Sequence, residues 1–369
     1  MFKSFLKLFE KKDQGSLKEN SLVNLHEKIQ QENISYDSYT SEELLNCIES
    51  GIRFDNKKLI KTMKFGVKDN IRPKLWLFLS KSCEISQKYD KDLFYKFLEM
   101  ETQDKDAGIN KDLDRTKFYS LIEIYKKHKK KLSNVNLIEL TRGIDLENIK
   151  SRKSSIDENE NDKDCSNELN QNDKIQIEFH EKDNLLSEKQ KIKIFKVTKA
   201  FSVYDSEIGY TQGINFIVGM LVLFTNSERS SFWILYEIME LKKWRFLFTK
   251  NTPKLIELLD ILKNRIKEKL PKIYKHFDKI DFLDSFNGVF SHYFITIFTY
   301  NIYVEFSSRI FDLFFIMGEE IIIKTLLHLL KLKEEKILSF DLEQIIVYIK
   351  NHIVNECLEE FGIKQCLPE

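Results

Sequence analysis

An all-α fold is what this sequence predicts, and three features carry the prediction. Helix breakers are scarce, with four prolines and eleven glycines in 369 residues, which suits long helices and few tight turns. Apolar residues recur with helical spacing along most of the chain. One run, Phe216–Phe224, holds nine consecutive apolar or glycine residues. That is far short of the ~20 needed to cross a bilayer, so it reads as a helix buried on every side.

The elements follow in order. Residues 1–55 read as a helical region. Phe2, Phe5, Leu6 and Phe9 share one helical face with lysines around it. The segment lacks the long apolar core and cleavage site of a signal peptide. It reads as a helix docked on the protein, with a peripheral membrane contact as the other reading. Thr40 to Glu43 makes a capping box ahead of Leu44, Leu45 and Ile48, and Gly51 closes that helix. Residues 56–360 form the main domain. It opens with a turn at Phe65–Ile71, then a helix that buries Trp76 and Leu79 and holds Arg72 in a structural ion pair. Leu93, Phe94, Phe97 and Leu98 again have helical spacing.

The composition then changes. Between Tyr125 and Phe195 the single aromatic residue is Phe179. Residues 153–174 are polar, charged and low in complexity, and cannot bury enough apolar surface to offset the entropy of ordering. A long disordered insertion is therefore expected at 128–188, with Leu137–Ile149 as a short helix within it. Its length is tolerable because the cost of loop closure grows only logarithmically.

Beyond the insertion, Ile194, Val197, Phe201 and Tyr204 line one helical face ahead of the Phe216–Phe224 run. Ser230–Leu241, rich in large apolar residues, reads as another buried helix. Leu255, Leu258, Leu259, Leu262, Ile266 and Leu270 trace an amphipathic helix ended by Pro271. Leu283–Phe298 and Ser307–Phe314 read as later helices, with Arg309 and Asp312 paired three apart in a structural role. Leu342, Ile345, Ile346, Ile349 and Ile353 make the last stripe, and residues 361–369 a C-terminal tail.

Charge and composition exclude several functions. Fifty-nine basic and 58 acidic residues leave a net charge of +1, which gives no support to a nucleic-acid partner. The five cysteines are scattered without a CxxC, as expected of reduced intracellular thiols rather than disulfides or a zinc site. Cys366 stands four from the end, but Pro368 and Glu369 behind it argue against prenylation. The sequence has no P-loop, GxGxxG, HExxH or GxSxG, so no nucleotide or metal cofactor of its own is expected.

Two short stretches carry polar residues that packing alone does not ask for. In Ile208-Gly209-Tyr210-Thr211-Gln212-Gly213, two glycines bracket an amide at the mouth of an apolar helix. Glycine there permits a positive φ or a close approach. The Gln is either satisfied by neighbouring backbone or presented to a partner, and the stretch alone does not decide. In Ile109-Asn110-Lys111-Asp112-Leu113-Asp114-Arg115-Thr116, Asp112 and Arg115 share a helical face. Asp112 then holds the guanidinium stem, or the backbone around it; taken alone, the pair reads as an ordinary surface ion pair.

Together these stretches resemble the TBC domains, the GTPase-activating domains that act on Rab GTPases. Tyr210-Thr211-Gln212-Gly213-Ile214-Asn215 is similar to the family's YxQGMN, with Ile214 for Met. The stretch around Asp112 and Arg115 is similar to IxxDxxRT, with Lys117-Phe118 where the family often has Phe-Pro. Gly66, Val67, Arg72 and Trp76 match the family's opening motif, with Lys68 in place of its Pro. Trp244–Thr249 and Arg309–Phe314 resemble later segments, the latter with Phe311 for the usual Trp.

The resemblance implies a multi-helix TBC-type domain that stimulates GTP hydrolysis on a GTP-bound Rab-type GTPase, in vesicle traffic. It implies Arg115 and Gln212 as catalytic fingers supplied in trans, with Asp112, Tyr210, Gly213 and Asn215 supporting them. Mg²⁺ and GTP are then carried by the partner GTPase. The expected location is cytoplasmic, or peripheral on endomembranes. The alternative is a catalytically silent TBC-like scaffold that binds a Rab as an effector. The active reading requires Arg115 and Gln212 to share one exposed face.

Overall fold

Residues 38–100, 105–120 and 184–369 are described by the computed structural model. The face formed by Phe2, Phe5, Leu6 and Phe9, and the expected insertion up to residue 183, lie outside them. Several of the described helices begin where a local signal places them. Thr40 accepts from the amide of Glu43, and Glu43 reaches back to the amide of Thr40, which starts α1 (Ser41–Ser50). Gly51 ends it at φ 66. Asp55 caps α2 (Asn56–Phe65), and Pro73 sits in the first turn of α3 (Arg72–Leu79), where its missing N–H costs nothing. Leu75 and Trp76 bury on α3, while Leu79 is only half-buried.

The short α4 (Ser82–Ser86), α5 (Leu93–Glu99) and α6 (Lys105–Leu113) follow. After the undescribed stretch, Ser187 and Gln190 form a second capping box at the start of α7 (Glu188–Tyr204). In α8 (Ile214–Thr225), every residue from Ile214 to Phe224 is buried, as the nine-residue run predicts. The expected Ser230–Leu241 helix is two elements: α9 (Glu228–Tyr236), then a π-turn at Glu237–Leu241. A 3₁₀ turn, Trp244–Leu247, leads to α10 (Pro253–Lys269), whose leucine stripe is buried. Then come α11 (Pro271–Lys279), α12 (Phe282–Ile295), α13 (Val304–Met317), α14 (Glu320–Leu332), α15 (Glu334–Leu338) and α16 (Leu342–Asn351). The last helix, α17 (Ile353–Cys366), runs on through a break at Gly362 and buries Ile363 and Cys366.

Helices α7, α8 and α9 pack on one another, with α5 and α6 against α7. A second group joins α10 to α12 and α14, α12 to α16, and α13 and α17 to α14. Between the groups lies α3, against α8, α9 and α13. Its junction with α13 is polar and sealed. Arg72 is fully buried and donates from Nε to Asp312 at 3.0 Å, from Nη2 to the carbonyl of Val67 at 2.8 Å, and from Nη1 to Asp69. Trp76 donates from Nε1 to Asp312 at 2.7 Å. The Asp312 carboxylate is thus claimed by α3, and Arg309, its expected partner, lies in the same buried group within reach of its charge. Arg309 lies beneath Gly66, where a Cβ would meet its Nη2 at 2.4 Å. Burial, with Arg72 nearby, lowers the Arg309 guanidinium to about 10. Asp69 and Asp312 counter the two arginines, with the buried Glu305 also close to Arg309, as buried charge requires.

The chain leaving and re-entering this body meets itself. The amide of Phe118 donates to Oδ1 of Asn184 at 3.1 Å, and the amide of Leu185 to the carbonyl of Phe118 at 2.8 Å. Tyr119 also makes an isolated bridge to Tyr303. The two flanks of 121–183 are therefore neighbours, the geometry a long insertion between two helices requires. Among the described residues, no helix is long and apolar enough to cross a membrane.

Candidate functional site

The site forms where the end of α6 meets the start of α8. Ile109 and Leu113 bury α6 against the body, and the helix stops at Leu113. A tight turn follows. The carbonyl of Asp112 accepts from the amide of Arg115 at 3.1 Å and from Oγ1 of Thr116 at 2.8 Å. Thr116 and Phe118 are buried, and the Phe118 ring lies against Gly219 of α8, where a Cβ would come within 2.5 Å of it. Arg115 is therefore lifted out on a turn gripped on both sides. Its side chain is exposed, and among the described residues it pairs with no carboxylate.

This corrects one expectation. Asp112 and Arg115 do not pair across a helical face, because the helix ends between them. The Asp112 carboxylate accepts instead from the hydroxyl of Tyr210 at 2.5 Å. Burial and the neighbouring carboxylate both raise the Tyr210 hydroxyl well above its ordinary range, so it stays a donor. The backbone around Arg115 is held by the Asp112 carbonyl rather than by its side chain.

The turn before α8 has its own constraints. Gly213 takes φ 107, and a Cβ there would fall 2.4 Å from Cγ2 of Ile295 on α12. The positive φ expected of this glycine is found, and the close approach is made by a side chain rather than by backbone. Asn215 is fully buried and serves both turns. Its Oδ1 accepts from the amide of Gly213 at 3.2 Å, and its Nδ2 donates to the carbonyl of Asp112 at 3.4 Å and to Oγ1 of Thr116. Gln212, between Tyr210 and Asn215, is exposed; the reading in which backbone satisfies it as a buried amide does not hold.

All six sequence-predicted residues thus fall at one junction. Asp112, Tyr210, Gly213 and Asn215 are tied to one another or to the neighbouring wall, and Arg115 and Gln212 stand exposed on the two turns so joined. Three residues were missed. Thr116 was visible as the last position of its motif. Asp205 and Arg245 hold the far end of the Gln212 loop: Nε and Nη2 of Arg245 donate to the two Asp205 oxygens at 2.9 and 3.0 Å. The one available signal was an arginine set within the apolar Trp244–Phe248 run.

Known proteins share this arrangement of the chain. The sequence matches the family model described as Rab-GTPase-TBC domain over residues 136–338. That range takes in Tyr210, Gln212, Asn215 and Arg245, and begins after Arg115. The chain is 33% identical over 160 residues to the Ecotropic viral integration site 5 ortholog of Drosophila melanogaster, covering 43% of this chain and 20% of that protein. It is 30% identical over 162 residues to GTPase-activating protein GYP5 of Saccharomyces cerevisiae, covering 44% and 18%. The matched stretch therefore spans about a fifth of these relatives. Among solved structures, the Chlamydomonas flagellar RabGAP TBC domain superposes with a TM-score of 0.57 at 16% identity, covering 96% of this chain and 95% of that one. The Ypt/Rab-GAP domain of Gyp1p gives 0.53 at 11% identity, covering 89% and 96%. At such identities, these two likenesses concern the fold.

Proposed function

The chain belongs to the Rab-GTPase-TBC domain family, and from that membership we propose that it accelerates GTP hydrolysis on a Rab-type small GTPase, with Arg115 and Gln212 inserted in trans. The observation that supports this is the junction itself. Two polar side chains, 97 positions apart in sequence, stand exposed on turns that share the Asp112–Tyr210 and Asn215–Thr116 bonds.

The chemistry suits them. Hydrolysis builds negative charge on the phosphoryl oxygens and on the bridging oxygen to GDP. A guanidinium brought from outside offsets that charge, a contact worth roughly 10³–10⁵ in rate. Its planar fork spans two oxygens, which a lysine cannot do. The attacking water must also be held in line. An amide both donates and accepts, so Gln212 can hold the water and a phosphate oxygen together. GTP and its Mg²⁺ arrive with the GTPase as substrate. Through such a GTPase the chain would act in vesicle traffic.

Single-turnover GTP hydrolysis across a panel of GTP-loaded Rab-type GTPases tests the reading. Arg115→Ala is expected to cut the stimulated rate by about a hundredfold or more, with unchanged thermal stability, and Arg115→Lys to restore little of it. Binding of the GTP form with no stimulation by the wild type would overturn the catalytic reading in favour of a silent scaffold.

A further inference from the structure

Asn215 and Gly213 fix the C-terminal end of the loop that carries Gln212. The other end starts at Asp205, where α7 stops. Asp205 folds the chain back on itself: its carbonyl accepts from the amide of Gly209 at 2.8 Å, and its Oδ1 from the amide of Ile208 at 3.3 Å. Gly209 completes the turn at φ 59. A carboxylate used this way is nearly buried, at 6% exposure, and needs a cation.

Arg245 supplies it. The 3₁₀ turn that carries Arg245 is pinned on either side by Trp244 and Leu247, both buried. The guanidinium forks onto both Asp205 oxygens, and Nη2 also donates to Glu207, inside the loop, at 2.8 Å. Glu240 comes within 3.6 Å of Nε. One guanidinium therefore holds three carboxylates that would otherwise repel one another. The Phe246 ring centroid lies 5.4 Å from it. A bidentate fork sets direction as well as charge.

We propose that Arg245 is a positioning residue for Gln212, acting through Asp205 and Glu207 to fix the N-terminal half of the finger loop. This rests on the reading of Gln212 given above. Its structural half is separable from that reading, because loop order can be measured without any GTPase.

The test uses the full chain with Arg245→Lys, which keeps the charge and loses the fork. Glu207→Gln is its companion, at an exposed position where unfolding is not at issue. Amide hydrogen exchange over residues 206–213 is expected to quicken about tenfold in Arg245→Lys, and less in Glu207→Gln, while α10–α17 exchange as in the wild type. On a responsive GTPase, kcat is expected to fall about ten- to a hundredfold, with KM changed by less than about twofold. Unchanged exchange in both variants would overturn the proposal, as would faster exchange with an unaltered kcat. Faster loop exchange in a protein whose wild type stimulates no GTPase would sink the catalytic reading of Gln212 and leave the clamp standing.

Discussion

Two junctions in this molecule are built to one plan and put to different use. At each, an aspartate accepts from an aromatic donor remote in sequence: Asp312 from Trp76, and Asp112 from Tyr210. Each aspartate also has an arginine three positions away along the chain. In the core, the whole group is sealed: Arg72, Arg309, Asp69 and Asp312 are buried together, with Glu305 close to Arg309. At the surface, the aromatic hydroxyl takes the carboxylate while the helix stops short, and Arg115 is left exposed. Here the arginine left exposed is the one whose carboxylate three positions away has been given another partner. The spacing alone does not tell these cases apart; burial and helix length do.

The largest effect that could break this comparison is in the core. Asp312→Ala removes the carboxylate that Arg72 and Trp76 share and leaves two buried arginines under-compensated, and is expected to cost about 3–5 kcal/mol. Arg115→Ala is expected to fall within about 0.5 kcal/mol of the wild type. Urea unfolding of both variants measures the difference. Equal losses would mean that Arg115 is structural after all.

Where a feature depends on neighbours along the chain, it was legible. The Thr40–Glu43 box, the Gly51 stop, the α10 leucine stripe and the buried α8 all follow from residues within a few turns. The two site turns were legible as motifs, and the glycine at 213 for its positive φ. What was not legible depends on tertiary partners. The donor to Asp112 comes from 98 positions away, and the donors to Asp312 from 236 and 240. Periodicity also fails where a helix is interrupted. Gly362 adopts φ 77 inside α17, so the chain beyond it reads as a tail although Ile363 and Cys366 pack into the core. The Arg245 clamp was hidden for the same reason as the Asp312 group: nothing near Trp244 in sequence announces Asp205.

A smaller effect sharpens the comparison at the surface junction. Gly213→Ala puts a Cβ 2.4 Å from Ile295 in a backbone conformation that alanine resists. The expected cost is about 1–3 kcal/mol, with a loss of stimulated hydrolysis larger than that cost alone would produce, because the displaced turn carries Gln212. Thermal melts beside initial rates check it. A stable variant with full activity would show that the turn needs neither glycine nor the Ile295 wall.

A small change at the junction itself is the most informative about purpose. Tyr210→Phe removes one hydroxyl and keeps the ring, which lies against Gly108. Asp112 is only half-buried, so water can take the place of the lost donor, and the expected cost is about 1 kcal/mol or less. The same loss leaves the Asn215 bonds to hold the end of α6 to α8, and the shared frame of the two fingers loosens. A fall of about tenfold in stimulated rate is therefore expected from a change that hardly moves the melting temperature. In the core, the ratio should be the reverse, since Trp76→Phe leaves Asp312 short of a donor where no water reaches. If Tyr210→Phe instead destabilises the fold as much as Trp76→Phe does, the surface junction is a second structural lock, and the exposure of Arg115 and Gln212 has no bearing on a partner.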